Sequence, residues 1–209
     1  MEKYDRTAGA VLVLASAGVV LAMAHHPTGL HSGALGQIVH GVLIVLIGIT
    51  AYGLFHFALR QGVARPAVLA GVVAYGISLF GNVGAATING FAVPAMAAHD
   101  GIDHQLFIVT WELNQALANM AVVATGAAFL LWSIGLLRQS GWMAKTIALL
   151  GLAAGLAPAL LLGFGAVRMN VAGAIILYTM QAAWVLLVGL YLASGRFEAD
   201  RALNTSDGM

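Results

Sequence analysis

The 209-residue chain contains no cysteine and very few charged side chains. Asp, Glu, Lys and Arg together make up 8% of the sequence, against about 25% in an average soluble domain. Without cysteine, disulfide frameworks, zinc–thiolate sites and iron–sulfur clusters are excluded. A net charge of +1 leaves no basic surface field that would attract nucleic acid. These absences argue against a soluble enzyme, a nucleic-acid-binding protein and a disulfide-stapled secreted module.

What the chain has in excess is apolar residues, which make up 61% of it, with a mean hydropathy of +0.92. A helix needs about 20 apolar residues to cross a hydrocarbon layer of about 30 Å. Sustained period-two alternation, which marks membrane β-strands, is missing from the sequence. We therefore predict an all-α integral membrane protein with six transmembrane helices. The apolar stretches run roughly over residues 7–24, 35–59, 66–89, 105–137, 143–167 and 171–193.

The basic residues predict an orientation for these spans. Eight of the nine Lys and Arg residues fall on one side of a six-span arrangement, and Arg168 falls on the other. The positive-inside rule places the eight-residue side, with both termini, in the cytoplasm. We expect three helical hairpins in one domain over residues 1–194, followed by a polar cytoplasmic tail over residues 195–209. The expected location is a bacterial inner membrane. An alternative interpretation of the N-terminus is a secretory signal peptide cleaved after Ala24.

Polar side chains collect in the predicted outer, periplasmic half of the membrane. Amides that faced lipid would lack hydrogen-bond partners, so these side chains should face protein or water. On the fourth span, His104, Glu112, Gln115 and Asn119 share one helical face. A periplasmic-facing cavity is therefore predicted, the alternative being that these amides only tie helices together. The expected ligand-binding residues are His40, Ser78, Asn82, Asn89, Glu112, Gln115, Asn119, Tyr178 and Gln181.

The segment from His99 to His104 suggests a metal site. If it is helical, His99 pairs with Asp103 and Asp100 pairs with His104 at i,i+4 spacing, which can place two ligands on one ion. Imidazole and carboxylate ligands suit zinc, copper, iron or manganese. The expected metal ligands are His99, Asp103, His104 and Glu112, with His31 or His40 completing the site. Two alternatives remain: an N-terminal cap by Asp100 or Asp103, and one haem on the outer side with His40 and His104 as its candidate ligands.

The sequence thus predicts a polytopic membrane protein with a His- and carboxylate-lined cavity in its outer half. That cavity would bind a metal ion or a small ligand, and a metal-dependent enzyme is one form of this hypothesis. The alternatives are a small proton-coupled transporter that uses Glu112 and a non-catalytic accessory subunit. The expected partners are the lipid bilayer, the small-molecule or metal ligand, and further copies or a larger membrane complex, but no nucleic acid. We expect His104→Ala and Glu112→Gln to abolish binding without loss of folding.

Overall fold

The structure, a computed structural model, describes residues 2–26, 33–99 and 101–200. Within these residues, six helices are long and apolar enough to cross a membrane. The all-helical class and the six helices of spanning length are thereby confirmed, and the chain is a multi-pass membrane protein by length and composition. The helices are α1 Glu2–Ala24, α2 Gly33–Gln61, α3 Pro66–Thr87, α4 Val93–Ala97, α5 His104–Leu137, α6 Trp142–Gly163 and α7 Val171–Ala193.

The third span is longer than the sequence predicted. Helix α3 continues through a π-helical segment, Ile88–Ala92, into the short helix α4. Together they form one span, Pro66–Ala97, of 32 residues. Pro94, which has no backbone N–H, follows directly after the π-helical segment, where the hydrogen-bond register of the span changes. The wider π turn breaks the regular register of this span near its end.

The spans form a closed ring. Each spanning helix contacts the next one along the chain, and α1 also contacts α7. The closest contacts between neighbouring helices occur at glycines. A Cβ on Gly9 would collide with the backbone of Ala193, and a Cβ on Gly126 would collide with the backbone of Gly155. Such contacts between small residues bring helix backbones together where lipid offers no hydrophobic driving force.

Contacts between chain-distant residues define one end of the ring, which we call the terminal end. Here Asp5, in the first turn of α1, contacts His56 and Arg60 in the last turns of α2. The hydroxyl oxygen of Tyr191, near the end of α7, lies 2.7 Å from Asp200 Oδ2 and 2.9 Å from Gln139 Oε1. The first turns of α1 and the last turns of α2 and α7 therefore lie together. We call the opposite end of the ring the distal end.

The largest fully buried side chains lie toward the terminal end. Phe57, Trp132, Trp184 and Tyr191 are each 1% exposed or less. The indole N–H groups find carbonyl partners, Trp132 on Val68 at 3.2 Å and Trp184 on Ile147 at 3.0 Å. Aromatic side chains fill this half of the ring because their bulk closes the space between helices, and their polar tips are satisfied.

The first residues of the predicted polar tail pack against the bundle. Residues 196–200 are helical, and Phe197 is fully buried beside Phe57 and Tyr191. Glu198 pairs with Arg60. This segment turns back because Phe197 can fill the aromatic core while the neighbouring acids bind Arg60 and Tyr191. Residues 201–209 lie outside the described residues, and the division into domain and tail stays a prediction.

Candidate functional site

A cavity of about 460 Å³ opens at the distal end of the ring. Among the described residues, every span except α6 contributes to its lining. Two lining residues, Trp111 and Asn170, are exposed at the surface, whereas Leu54 and Phe129 are fully buried. On α2 the lining extends from His40 to Leu54, which is about 21 Å along a helix axis. The cavity is therefore elongated and runs from the distal surface toward the middle of the bundle.

The lining is apolar for most of its length and carries no formal charge. Among the described residues, no Asp, Glu, Lys or Arg lines it. A buried charge without a partner is costly, so such a cavity disfavours ionised ligands. The apolar wall includes Val19, Met23, Leu43, Ile47, Leu54, Ala85, Ala86, Val93, Ala118, Phe129, Ala174, Ala182 and Val185.

Two histidines mark the mouth of the cavity. The Nε2 atoms of His26 and His40 are 3.2 Å apart, and His40 Nδ1 lies 2.7 Å from the carbonyl oxygen of Gly36. Because a carbonyl only accepts, Nδ1 of His40 carries the proton in the neutral ring, and its Nε2 accepts from Nε2–H of His26. His40 is buried. The pair fixes the end of α1 against α2 at this level.

The π-helical segment allows the third span to approach this histidine pair. Gly90, inside the segment, lies against His40, and a Cβ at that position would collide with the Cβ of His40. The preceding residue, Asn89, lines the cavity. π-Helical segments inside α-helices often occur at functional sites. Here the segment and its glycine together set the width of the mouth.

Further along the cavity, two hydrogen bonds tie α7 to the opposite walls. The hydroxyl of Tyr178 donates to Asn82 Oδ1 at 2.9 Å, which joins α7 to α3. The amide nitrogen of Gln181 donates to the carbonyl oxygen of Val122 at 2.9 Å, which joins α7 to α5. Both bonds satisfy polar atoms where water is scarce. These amides therefore serve packing as well as lining.

Two residues of the lining have a buried side-chain oxygen without a hydrogen-bond partner among the described residues. Asn114, on α5, is 2% exposed, and its Oδ1 is buried without a hydrogen-bond partner among the described residues. Thr50 Oγ1, on α2, is in the same condition. Both residues line the cavity. Unsatisfied buried polar atoms are rare in native proteins and call for an explanation.

The structure brings together most, but not all, of the residues expected to bind a ligand. Glu112 and Asn119 are exposed on α5 and do not line the cavity, and Ser78 is fully buried outside it. Of the face of α5 that was expected to turn inward, only Gln115 lines the cavity. At about 100° per residue, Glu112 lies roughly 160° around the helix from Asn114. The expected residues that do line the cavity are His40, Asn82, Asn89, Gln115, Tyr178 and Gln181.

The physical reason for the rotated face is the position of the small residues. Helix α5 buries Ala118, Ala121 and Gly126, and these let α3 and α6 approach closely. Close approach along this stripe contributes more packing than the polar stripe could. The face that holds Asn114 consequently turns inward, and the face that holds Glu112 turns outward.

The metal site expected near the start of α5 finds no support. His99, Asp103, His104 and Glu112 are all exposed. In the described part of the chain, no group of three or more His, Asp or Glu residues could hold a metal ion. Asp103 caps α5 instead, since its Oδ1 accepts from the backbone N–H of Gln105 at 2.9 Å. Two further expected participants, His31 and Asp100, lie outside the described residues.

Sequence reasoning missed Asn114, Thr50 and His26 as lining residues, and Asp5 as the centre of an ionic cluster. The available signal for Asn114 was its spacing of four from Ala118, on the small-residue stripe that packs helices together. The signal for Asp5 was a carboxylate at the start of a spanning helix, where an intramembrane acid needs a partner.

Comparison with known proteins does not identify a function for this chain. No family model matches the chain. No curated protein and no solved structure matches it either. Function must therefore be argued from the residues of the cavity, because a fold alone would not specify it.

Proposed function

We propose that the protein binds one elongated, uncharged and mostly apolar small molecule in its distal cavity. The observation that carries this proposal is the apolar, charge-free lining between His40 and Leu54. A volume of about 460 Å³ falls within the usual range for ligand pockets, roughly 300–1,000 Å³. Spread over about 21 Å of helix, this volume makes a narrow cavity that suits a chain-like molecule rather than a compact one.

The orientation of the bundle is part of the proposal. Arg60 lies at the terminal end, in the cluster around Asp5, and Arg138 follows α5 at the same end, beside Gln139. The positive-inside rule then puts the terminal end in the cytoplasm. The cavity would open toward the periplasm of a bacterial inner membrane, with the spans arranged as three hairpins. A ligand would enter from that side or from the outer leaflet.

Two other functions considered from the sequence have less support. Proton-coupled transport through Glu112 needs that carboxyl group in the pathway, but the side chain is exposed and outside the cavity lining. Metal-dependent chemistry needs assembled ligands, and the described residues contain no such group of three or more. Binding of a neutral ligand needs only what the cavity wall already provides.

A cavity-filling substitution tests the proposal. Ala118 is 6% exposed and lines the cavity, whereas Ala116 is exposed on the same helix. The probe is tritiated 1-hexadecanol, with hexadecanoate and hexadecyltrimethylammonium as charged molecules of equal chain length. We expect saturable binding of the alcohol by the native protein, at least tenfold weaker binding of the charged molecules, and at least tenfold weaker binding of the alcohol by Ala118→Phe. The matched control, Ala116→Phe, should bind the alcohol like the native protein.

Folding of both variants is checked by gel filtration and thermal unfolding. If Ala118→Phe does not fold, Ala118→Leu provides a smaller obstruction at the same position. Absence of saturable alcohol binding to the native protein would overturn the proposal. So would equal binding by the folded variants at positions 118 and 116, because the probe would then be bound outside the cavity.

A further inference from the structure

The inner end of the cavity is closed by four bulky side chains. Leu54 and Phe129 line this end and are 0% and 1% exposed. Tyr75 and Val185 are also buried and line it from α3 and α7. We call these four residues the floor of the cavity. A chain that enters from the distal surface must stop at the floor, because buried aromatic rings fill the bundle beyond it.

Those rings support the floor from behind. The ring of Phe129 packs on Trp184 with centroids 4.1 Å apart, and the indole N–H of Trp184 donates to the carbonyl oxygen of Ile147 at 3.0 Å. The ring of Tyr75 packs on Trp132 with centroids 5.6 Å apart. Neither tryptophan lines the cavity. A packed interior resists even one added methylene group, so the floor should not retreat to admit a longer chain.

The distance from the mouth to the floor determines which chain fits. His40 at the mouth and Leu54 at the floor both line the cavity, and they lie about 21 Å apart along α2. An extended polypeptide backbone advances about 3.3–3.6 Å over its three bonds per residue, so an extended alkyl chain advances about 1.2 Å per bond. About 17 bonds therefore span the cavity.

We infer that the cavity selects its ligand by chain length, with the floor setting an optimum of about 16 to 18 carbons. This inference rests on the proposed function, since it specifies the length of the same ligand. A shorter chain leaves empty space above the floor and loses contacts there. A longer chain must leave methylene groups outside the mouth, and each one returned to water costs about fourfold in affinity. Both effects are independent of the head group.

The test measures competition within a homologous series. Unlabelled 1-alkanols, from 1-decanol to 1-docosanol in steps of two carbons, displace tritiated 1-hexadecanol from the native protein in phosphatidylcholine nanodiscs. Each competitor is added at the same mole fraction of the lipid, so that all chains start from the same apolar surroundings. We expect the strongest competition from 1-hexadecanol and 1-octadecanol. The shortest and the longest alcohols should compete at least tenfold more weakly.

A raised floor should shift the optimum to shorter chains. Ala182 lines the cavity on α7, one helical turn nearer the mouth than Val185. Ala182→Leu should therefore shorten the optimum by about two to four carbons. The matched control is Ala183→Leu, because Ala183 is exposed on the same helix and does not line the cavity. Its optimum should equal that of the native protein.

A lowered floor should shift the optimum the other way. Phe129→Ala removes a ring from the floor and should lengthen the optimum by about two to four carbons. Phe197→Ala is the control, since it also removes a fully buried ring but one outside the cavity lining. Folding of every variant is checked by gel filtration. If Phe129→Ala does not fold, Phe129→Leu and the result for Ala182→Leu decide the matter.

The outcomes separate this inference from the proposed function. If no alcohol of any length displaces the tritiated probe, or if the probe itself does not bind, the proposed function fails and the inference fails with it. If the alcohols bind but competition is equal for all lengths, or still rises at 1-docosanol, the cavity is occupied and the inference is overturned. An optimum that stays unchanged in the folded variants at positions 182 and 129 would also overturn it.

Discussion

The two ends of the bundle differ in how the space between the helices is filled. At the terminal end, fully buried aromatic rings fill the space between helices, and Phe57 contacts Trp132, Trp184 and Phe197. At the distal end, a cavity of about 460 Å³ separates the helices. Side-chain packing stabilises the terminal end, whereas the distal end is less filled and has an accessible interior. Stability and binding should therefore respond to mutation in different halves of the molecule.

The largest difference should appear when side chains are truncated. Phe57→Ala removes a fully buried ring at the terminal end and should lower the free energy of unfolding by about 3–5 kcal/mol. Leu43→Ala, on the cavity wall, should cost only about 1–2 kcal/mol, because part of that side chain already faces open space. Denaturant titration in mixed micelles measures both values. Equal losses would show that the distal end is packed as tightly as the terminal end.

The ionic cluster at the terminal end should give the next largest effect. The side chain of Asp5 is 3% exposed and contacts both His56 and Arg60. Asp5→Ala should destabilise the fold by about 2–3 kcal/mol, since it removes a partner of the half-buried Arg60, which keeps Glu198. The matched control is Glu2→Ala, because Glu2 pairs with Arg6 on the surface of the same helix and should cost about 0.5 kcal/mol or less. Similar unfolding midpoints for the two variants would contradict this account.

A smaller effect on stability, with a clear effect on binding, is expected at the cavity mouth. Gly90→Ala places a methyl group against His40 and should cost about 1–2 kcal/mol. It should also weaken 1-hexadecanol binding several-fold, because the histidine pair shifts. Gly76→Ala is the control, since a Cβ there meets nothing within 4 Å. Unchanged binding by a folded Gly90→Ala would show that the π-helical segment does not set the mouth.

The smallest effects are expected on the exposed face of α5. His104→Ala and Glu112→Gln alter exposed side chains outside the cavity lining. Each should change stability by less than about 0.5 kcal/mol and leave alcohol binding unchanged. This reverses the expectation from the sequence alone that both substitutions abolish binding. Loss of binding in either folded variant would show that this exposed face of α5 belongs to the binding site.

The helices could be predicted from the sequence because apolar length alone defines a spanning segment. Which face of a helix turns inward was harder to predict, since polar and small residues on α5 pointed in different directions. Glu112 marks the polar stripe, and Ala118 marks the small-residue stripe that the structure buries. Polar periodicity is a weaker guide than close backbone packing when both faces contain amides. On α3 and α7, Asn82 and Tyr178 both line the cavity and form a hydrogen bond with each other.

The ionic cluster could not be predicted from local pattern for a different reason. Asp5 and His56 are separated by 51 positions, and nothing in either segment specifies the other. Such a pair follows only from the ring order of the helices. The burial of Phe197 also could not be predicted locally, because it depends on where the end of α7 lies in the bundle.

The most direct test of the central claim is to locate a bound chain. Crystals of the protein grown with 16-bromohexadecan-1-ol would report the bromine position through its anomalous signal. The account predicts one ordered bromine inside the bundle near Leu54 and Phe129, which line the inner part of the cavity. Bromine found solely along the outer, lipid-facing surfaces of the helices, with none inside the cavity, would contradict it.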